Sequence, residues 1–287
     1  MDTVLESRSK TVVIGAEQPF CVIGERINPT GRKRFAEELK GGDLATVVAD
    51  TQAQIAAGAD VLDVNAGIPL VDEAELLASM LRLIQDTADI PLCIDSSVIE
   101  ALDAGLSVYQ GKALVNSVTG EDDRLEEILP LVARHGAAVI GLANDETGIP
   151  ETPQQRLEIA TKIVKVAGDH GIPPADVVID PLAMTVGADT EAVTTTLETI
   201  RLIRDTLGVN MSLGASNVSF GLPQRHALNA AFLPIAMEAG LTSAIMSTAP
   251  VVVESVRAAD LLLGHDPWGA NWIAAHRVRQ AKEAAAA

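Results

Sequence analysis

Two hydrophobic patterns alternate along the chain. Short, near-continuous apolar runs rich in Val, Ile and Leu recur at residues 21–24, 61–64, 92–94, 113–115, 137–142, 177–179, 211–214 and 243–246. Between them lie longer stretches in which apolar residues return at helical spacing, among them 44–57, 73–87, 153–170 and 190–207. Runs that are apolar at every position suit strands buried on both faces, as in a parallel sheet covered by helices. Eight strand–helix units in 287 residues predict an α/β fold, a (β/α)8 TIM barrel. An open doubly wound sheet is the competing architecture. Its G-x-G-x-x-G fingerprint is missing after the first strand, where Gly24-Glu25-Arg26-Ile27-Asn28 stands instead.

Punctuation supports the same units: Gly42-Asp43 precedes the first helix, and Gly58, Gly136 and Gly171 close helices. Residues 11–14, a turn at 16–19 and residues 20–23 read as an N-terminal β-hairpin that runs into strand one and plugs the barrel's N-terminal mouth. No Ser/Pro/Gly-rich linker or charge block divides the chain. The expected organisation is a single domain, 1–287: a leader and hairpin over 1–19, a barrel over 20–265 and a helical tail over 266–287, with 283–287 as its frayed end.

Charge and composition narrow the ligands. With 21 Lys and Arg against 39 Asp and Glu, the formal net charge is −18, and the aromatic residues are four Phe, two Trp and one Tyr. That balance disfavours a nucleic-acid backbone and leaves little for base stacking. Cys21 and Cys93 each sit inside an apolar run and read as reduced core residues. The N-terminus lacks a basic start followed by an apolar segment, and no apolar stretch approaches the ~18 residues that span a bilayer. A cytoplasmic protein with no membrane contact is expected.

In a (β/α)8 barrel, chemistry sits at the C-terminal ends of the strands. Those ends carry Glu25, Arg26 and Asn28; Asp63 and Asn65; Asp95, Ser96 and Ser97; Asn116 and Ser117; Asn144 and Asp145; Asp180; Ser216, Asn217 and Ser219; Ser247 and Thr248. No lysine stands there, which disfavours a Schiff-base aldolase. The five histidines, His135, His170, His226, His265 and His276, also fall away from these ends, so no transition-metal centre is expected. Carboxylates and carboxamides suit a ligand with adjacent N–H donors and ring acceptors, such as a 2-amino-4-oxo-pteridine. The alternative, residue by residue, is that Asp and Asn satisfy loop amides after the strands.

Several motifs together resemble a known family. Ile23-Gly24-Glu25-Arg26-Ile27-Asn28, Asp63-Val64-Asn65-Ala66-Gly67, Cys93-Ile94-Asp95-Ser96, Val115-Asn116-Ser117, Ile140-Gly141-Leu142, Ile179-Asp180-Pro181-Leu182 and Gly214-Ala215-Ser216-Asn217-Val218-Ser219-Phe220 occur in order over nearly the whole chain. They are similar to the pterin-binding barrel of methyltetrahydrofolate:corrinoid protein methyltransferases and to the folate domain of cobalamin-dependent methionine synthase. The resemblance implies a dihydropteroate synthase-like barrel in which Asp95, Asn116 and Asp180 hold the pterin ring. It places Asn217 near N5 as the catalytic residue and Arg225 close to the substrate. Glu25, Asn28, Asp63, Asn65 and Ser216 line the same mouth as supporting residues. Phe220 departs from the polar residue that some members carry there.

The activity so implied is reversible transfer of the N5-methyl group of 5-methyltetrahydrofolate to or from the cobalt of a corrinoid protein. The chain lacks Asp-x-His-x-x-Gly, so the cobalamin is expected on a separate corrinoid protein, with no metal bound directly, and the family implies a homodimer. Dihydropteroate synthase itself is the weaker match, since its Arg-x-His ending is replaced by Ile245-Met246-Ser247-Thr248-Ala249-Pro250. Asn217 reads alternatively as a turn or capping residue. Arg225 reads either as a partner of the folate's glutamyl tail or as a salt bridge at a helix start. Two other functions fit the same barrel: a magnesium-dependent lyase using Glu25, Asp63, Asp95 and Asp180 as oxygen ligands, and a folate-binding module without catalysis.

Overall fold

The chain opens with two short strands, β1 (Thr3–Glu6) and β2 (Thr11–Ile14), and each apolar run then becomes a strand: β3 (Cys21–Ile27), β4 (Val61–Asn65), β5 (Leu92–Asp95), β6 (Leu114–Thr119), β7 (Ala138–Leu142), β8 (Val177–Asp180), β9 (Asn210–Gly214) and β10 (Ser243–Met246). These assignments come from a computed structural model that describes residues 1–286; Ala287, the end of the expected tail, lies outside the described residues. Strands β3 to β10 are parallel and follow one another around a closed barrel, β10 pairing with both β9 and β3. Closure leaves this sheet no open edge.

The hairpin differs from the one expected. β2 pairs antiparallel with β1, from Thr3↔Ile14 to Glu6↔Thr11, and not with residues 20–23. β1 is four residues long and alternates buried with more exposed positions, too brief a pattern to stand out beside the barrel strands. Leu5 and Ile14 are wholly buried and pack with Cys21, Ile23, Val61, Cys93, Leu114, Ala138, Ile140 and Val178. The hairpin therefore closes the N-terminal mouth, held there by Asn210, whose Nδ2 donates to Thr3 Oγ1 (2.9 Å) and to the Ile14 carbonyl (2.8 Å).

The helices are α1 (Lys33–Lys40), α2 (Ala45–Ala56), α3 (Glu73–Thr87), α4 (Ile99–Val108), α5 (Asp122–His135), α6 (Pro153–Asp169), α7 (Ala192–Thr206), α8 (Arg225–Ala239), α9 (Pro250–Leu263) and α10 (Ala270–Ala286). The four read from periodicity agree within two residues. Local capping sets some of these ends: Asp72 accepts from the Glu75 N–H at 3.1 Å to start α3, and Thr152 with Gln155 forms a reciprocal box at the start of α6. α1 was not anticipated, because eight residues that bury only Phe35 and Leu39 carry little periodic signal. Among the described residues, no helix is long and apolar enough to cross a membrane.

Alternation along the strands positions the site. Val22, Leu62, Val64, Leu92, Ile94 and Val115 join the large core beneath the helices, whereas Cys21, Ile23, Val61, Cys93, Leu114 and Val178 form the inner layer. A strand turns every second residue to the same side. Two steps up from the inner apolar layer therefore stand Glu25, Asp63, Asp95, Asn116 and Asp180, all facing the C-terminal end of the barrel interior.

Candidate active site

Strand register sets the inward polar residues into tiers. Asn65 pairs with Asp95, and Asp95 with Asn116, so these three stand side by side on β4, β5 and β6; Asp63 lies one tier lower on β4. Asn116 Nδ2 donates to Asp63 Oδ1 at 3.1 Å. Asp63 is only 2% exposed, and burial drives its carboxyl strongly up, with the nearby Asp95 charge adding to the effect; hydrogen bonds from Asn116 and Cys93 oppose it. Asp95 is pushed up to about 6, mainly by burial and secondarily by Glu73, while Asn65 beside it pulls the other way. The Glu73 carboxylate is itself held by the Ser96 hydroxyl.

Asp180 ends β8 on the other side of the cup. Burial raises it to about 7 against the backbone N–H of Leu182, the Arg156 charge and the backbone of Gly214. Its Oδ1 accepts from Leu182 N at 2.7 Å, closing the turn in which Leu182 takes a positive φ of 65°. Arg156, on α6 and 3% exposed, braces that turn: Nη1 donates to the carbonyls of Pro181 (2.9 Å) and Leu182 (2.8 Å), and Nε to that of Pro150 (3.1 Å). Arg156 was missed in the sequence. The available signal was its place on the apolar stripe of α6, with Ala160, Ile163 and Ala167.

The loop after β9 forms the remaining wall. It is a 3-10 turn, Ala215–Ser219, in which the Asn217 carbonyl accepts from Phe220 N at 3.1 Å. The Asn217 side chain is exposed and has no hydrogen-bond partner among the described residues, so it does not serve as a capping or turn group. It lies back over Gly214, where a Cβ would come within 3.0 Å of Asn217 Nδ2. Ser216 Oγ donates to Glu25 Oε1 at 2.9 Å and accepts from Asn229 Nδ2 at 3.3 Å, tying β3 to the β9 loop. Burial raises Glu25, with Ser216, Arg225, His226 and Arg26 lowering it.

Arg225 opens α8 and makes no salt bridge among the described residues. Its Nη2 donates to the Ser216 carbonyl (2.7 Å) and its Nε to Ser219 Oγ (3.2 Å), with the guanidinium 5.9 Å from the Phe220 ring centroid. Phe220 is 68% exposed. The reading of His226 as remote from the strand ends is corrected: its Nε2 lies 3.4 Å from Ser247 Oγ, at the end of β10, because α8 begins directly above the barrel rim. Asn28 and Asn65 satisfy loop amides through Oδ1, to Thr30 N (2.9 Å) and Gly67 N (2.8 Å). Among the described residues, no group of three or more His, Cys, Asp or Glu is disposed to hold a metal ion.

Solved structures with this architecture include the dihydropteroate synthase of Xanthomonas albilineans with 4-aminobenzoic acid (TM-score 0.69, 17% identity, 92% of this chain and 99% of that one). That of Yersinia pestis with a pterine–sulfa conjugate gives TM-score 0.68 at 16% identity over 91% of this chain and 100% of that one. The fold is thus a barrel of the dihydropteroate synthase class. By sequence, residues 24–247 match the family described as pterin binding enzyme, and the chain belongs to that family. It is 33% identical over 252 residues to a methylcorrinoid:tetrahydrofolate methyltransferase of Eubacterium limosum, covering 85% of this chain and 92% of that protein. It is 35% identical over 247 residues to the methionine synthase of Mycobacterium tuberculosis, covering 80% of this chain but 20% of that much longer protein.

Proposed function

We propose that this chain moves the N5-methyl group of 5-methyltetrahydrofolate to or from the cobalt of a corrinoid carried by a separate protein. One observation supports this reading above the others: Asp95, Asn116 and Asp180 stand on inward strand ends with both carboxylates raised towards neutrality by burial. A 2-amino-4-oxo-pterin presents N–H donors that an ionised carboxylate accepts in pairs. Binding such a ring returns to Asp95 and Asp180 the hydrogen bonds that desolvation removed. Asn116 has already given Nδ2 to Asp63, which leaves its Oδ1 as an acceptor for the ring.

Breaking the N5–methyl bond leaves charge on a nitrogen that departs poorly as an anion. A donor at N5 that strengthens as the bond breaks lowers this barrier more than it tightens substrate binding. The free carboxamide of Asn217 is our donor, placed by Gly214 below it and by the Ser216–Glu25 contact beside it. The corrinoid supplies the nucleophilic metal, or the methyl group in the reverse direction. This chain's residues hold the ring, orient N5 and keep both faces of the reaction on one site. Mixing the purified protein with 5-methyltetrahydrofolate and cob(I)alamin tests the proposal: the cobalt absorbance should change at a rate proportional to protein. Saturable folate binding with no absorbance change would select the non-catalytic folate-binding module instead.

A further inference from the structure

Methyl transfer away from 5-methyltetrahydrofolate leaves N5 with an electron pair that must gain a proton, and the residues that hold the ring supply none. The Asn217 carboxamide donates a hydrogen bond but does not give up its proton. Asp95 and Asp180 are ionised when they accept from the ring, and Asp63 is spent on Asn116, at 3.1 Å. Of the carboxyls that face the cup from the inward strand positions, Glu25 is left.

Glu25 is tied to the loop that carries Asn217. Ser216, the preceding residue, donates its Oγ–H to Glu25 Oε1 at 2.9 Å. Asn229 on α8, only 2% exposed, donates Nδ2 to the same Oγ at 3.3 Å. An amide nitrogen only donates, so the Ser216 oxygen accepts from Asn229 and keeps its single proton for Glu25. Oε1 is thereby fixed as an acceptor, and the proton of the acid form belongs on Oε2. That oxygen has no hydrogen-bond partner among the described residues, and Glu25 is only half-buried.

The charges around Glu25 come from three sides. Burial favours its acid form, while Ser216, Arg225 and His226 at the start of α8, and Arg26 beside it on β3, oppose that shift. Asp63 on β4 is near enough to feel the Glu25 charge. β10, paired with β3 on the other side, leads into uncharged Ser247 and Thr248. A carboxyl raised from its ordinary value is a better-populated acid that still yields its proton.

We propose that Glu25 is the proton donor to N5, acting from Oε2 while Asn217 orients the ring; the inference rests on the methyl-transfer reading above. As the N5–methyl bond breaks and the methyl–cobalt bond forms, the electron pair left on N5 takes the Glu25 proton, and solvent returns one to the carboxylate. In the reverse direction the carboxylate takes the proton that N5 sheds as it accepts the methyl group.

Single-turnover methyl transfer from saturating 5-methyltetrahydrofolate to cob(I)alamin, followed against pH in wild type, Glu25→Gln and Ser216→Ala, tests it. The wild-type rate should fall as pH rises and Glu25 ionises. Glu25→Gln still offers Ser216 an acceptor but has no acidic proton. It should bind folate within about twofold of wild type, which also reports its folding, and transfer about 100-fold or more slowly, the low end for loss of a general acid, with the pH limb gone. Ser216→Ala keeps the acid and removes a bond that lowers it, so its limb should move to higher pH. A Glu25→Gln chain that transfers at the wild-type rate, or that slows equally at every pH with the limb intact, overturns the proposal. So does a limb that stays in place in Ser216→Ala, and that variant decides alone where Glu25→Gln fails to bind folate. Wild type that binds folate and transfers no methyl group would remove the methyl-transfer reading, and this one with it.

Discussion

Asn116 on β6 reaches over the end of β5 to donate its Nδ2 to Oδ1 of Asp63 on β4, at 3.1 Å. Two strands that are not neighbours are thereby joined across Asp95, the residue between them. The bond fixes which end of the Asn116 carboxamide faces the cup. Asp63 then acts through Asn116, which accounts for a carboxyl that is almost wholly buried at the base of a binding site.

Removing that partner should loosen the ligand indirectly. With Asp63→Ala the carboxamide can present either end, and affinity for 5-methyltetrahydrofolate should fall by about 3- to 10-fold, the worth of one neutral hydrogen bond. Asp63→Asn still offers Asn116 an acceptor and should bind within about twofold of wild type. Isothermal titration on the two variants checks this. Equal losses in both would mean that the Asp63 charge, and not its orientation of Asn116, matters.

Asp180 should trade stability for affinity. Its carboxyl sits at about 7 in the folded protein against an ordinary 3.8, so between these values the native state holds a proton that the unfolded chain releases. Stability of the empty protein therefore declines as pH rises from about 4 to about 7, and the lost contribution stays absent above that, with a ceiling of about 4 kcal/mol. Asp180→Asn should raise the Tm of the ligand-free protein at pH 8 by several degrees, and by little at pH 4.5. The same change should weaken pterin binding by roughly 1.5–3 kcal/mol through loss of a charge-assisted hydrogen bond. A lower Tm at both pH values would show that the carboxylate is chiefly a brace for the Leu182 turn.

Much of this site was legible because period-two alternation is a local property. Once residues 61–64, 92–94 and 177–179 are strands, the side of the sheet taken by Asp63, Asp95 and Asp180 follows from counting. Contacts between distant segments were not legible. β1 could be matched to β2 only after folding, the apolar stripe of α6 hints that Arg156 is buried but not that it meets the Pro181 carbonyl, and His226 reaches Ser247 only because α8 starts over the rim. Arg225 illustrates the same limit: sequence offers it a substrate or an acid, and the fold gives it the Ser216 carbonyl and Ser219 hydroxyl.

Ligand affinity should also follow the titration of the cup. Asp180 near 7 and Asp95 near 6 must both be ionised to accept from the ring's N–H groups, so binding favours the deprotonated forms. The dissociation constant should be flat above about pH 7.5, rise towards tenfold per pH unit between 7 and 6, and steepen below 6. A fully aromatic pterin, which has no alkylated amine at N5, isolates the protein's groups from the substrate's. Asp180→Asn should abolish the upper limb and leave the lower one. A dissociation constant unchanged from pH 8 to pH 5 would mean that neither carboxylate meets the ring.

The place of Asn217 depends on the absence of a side chain three residues earlier. Gly214 ends β9, and a Cβ there would stand 3.0 Å from Asn217 Nδ2, closer than nearly all such contacts, so Gly214→Ala must push the carboxamide aside. Gly214 has a negative φ of −71°, which alanine also adopts, so the substitution tests crowding and not backbone strain. Asn217→Ala should lower the single-turnover rate of methyl transfer by roughly 10²–10³ with folate affinity little changed, as expected when a donor acts mainly in the transition state. Gly214→Ala should reproduce part of that loss in a protein that still carries the asparagine. The double variant should be no slower than Asn217→Ala alone, because the displaced group is already gone. Rates that multiply in the double variant would show that Gly214 acts on something other than Asn217, and an unchanged rate in Asn217→Ala would remove the donor from the mechanism.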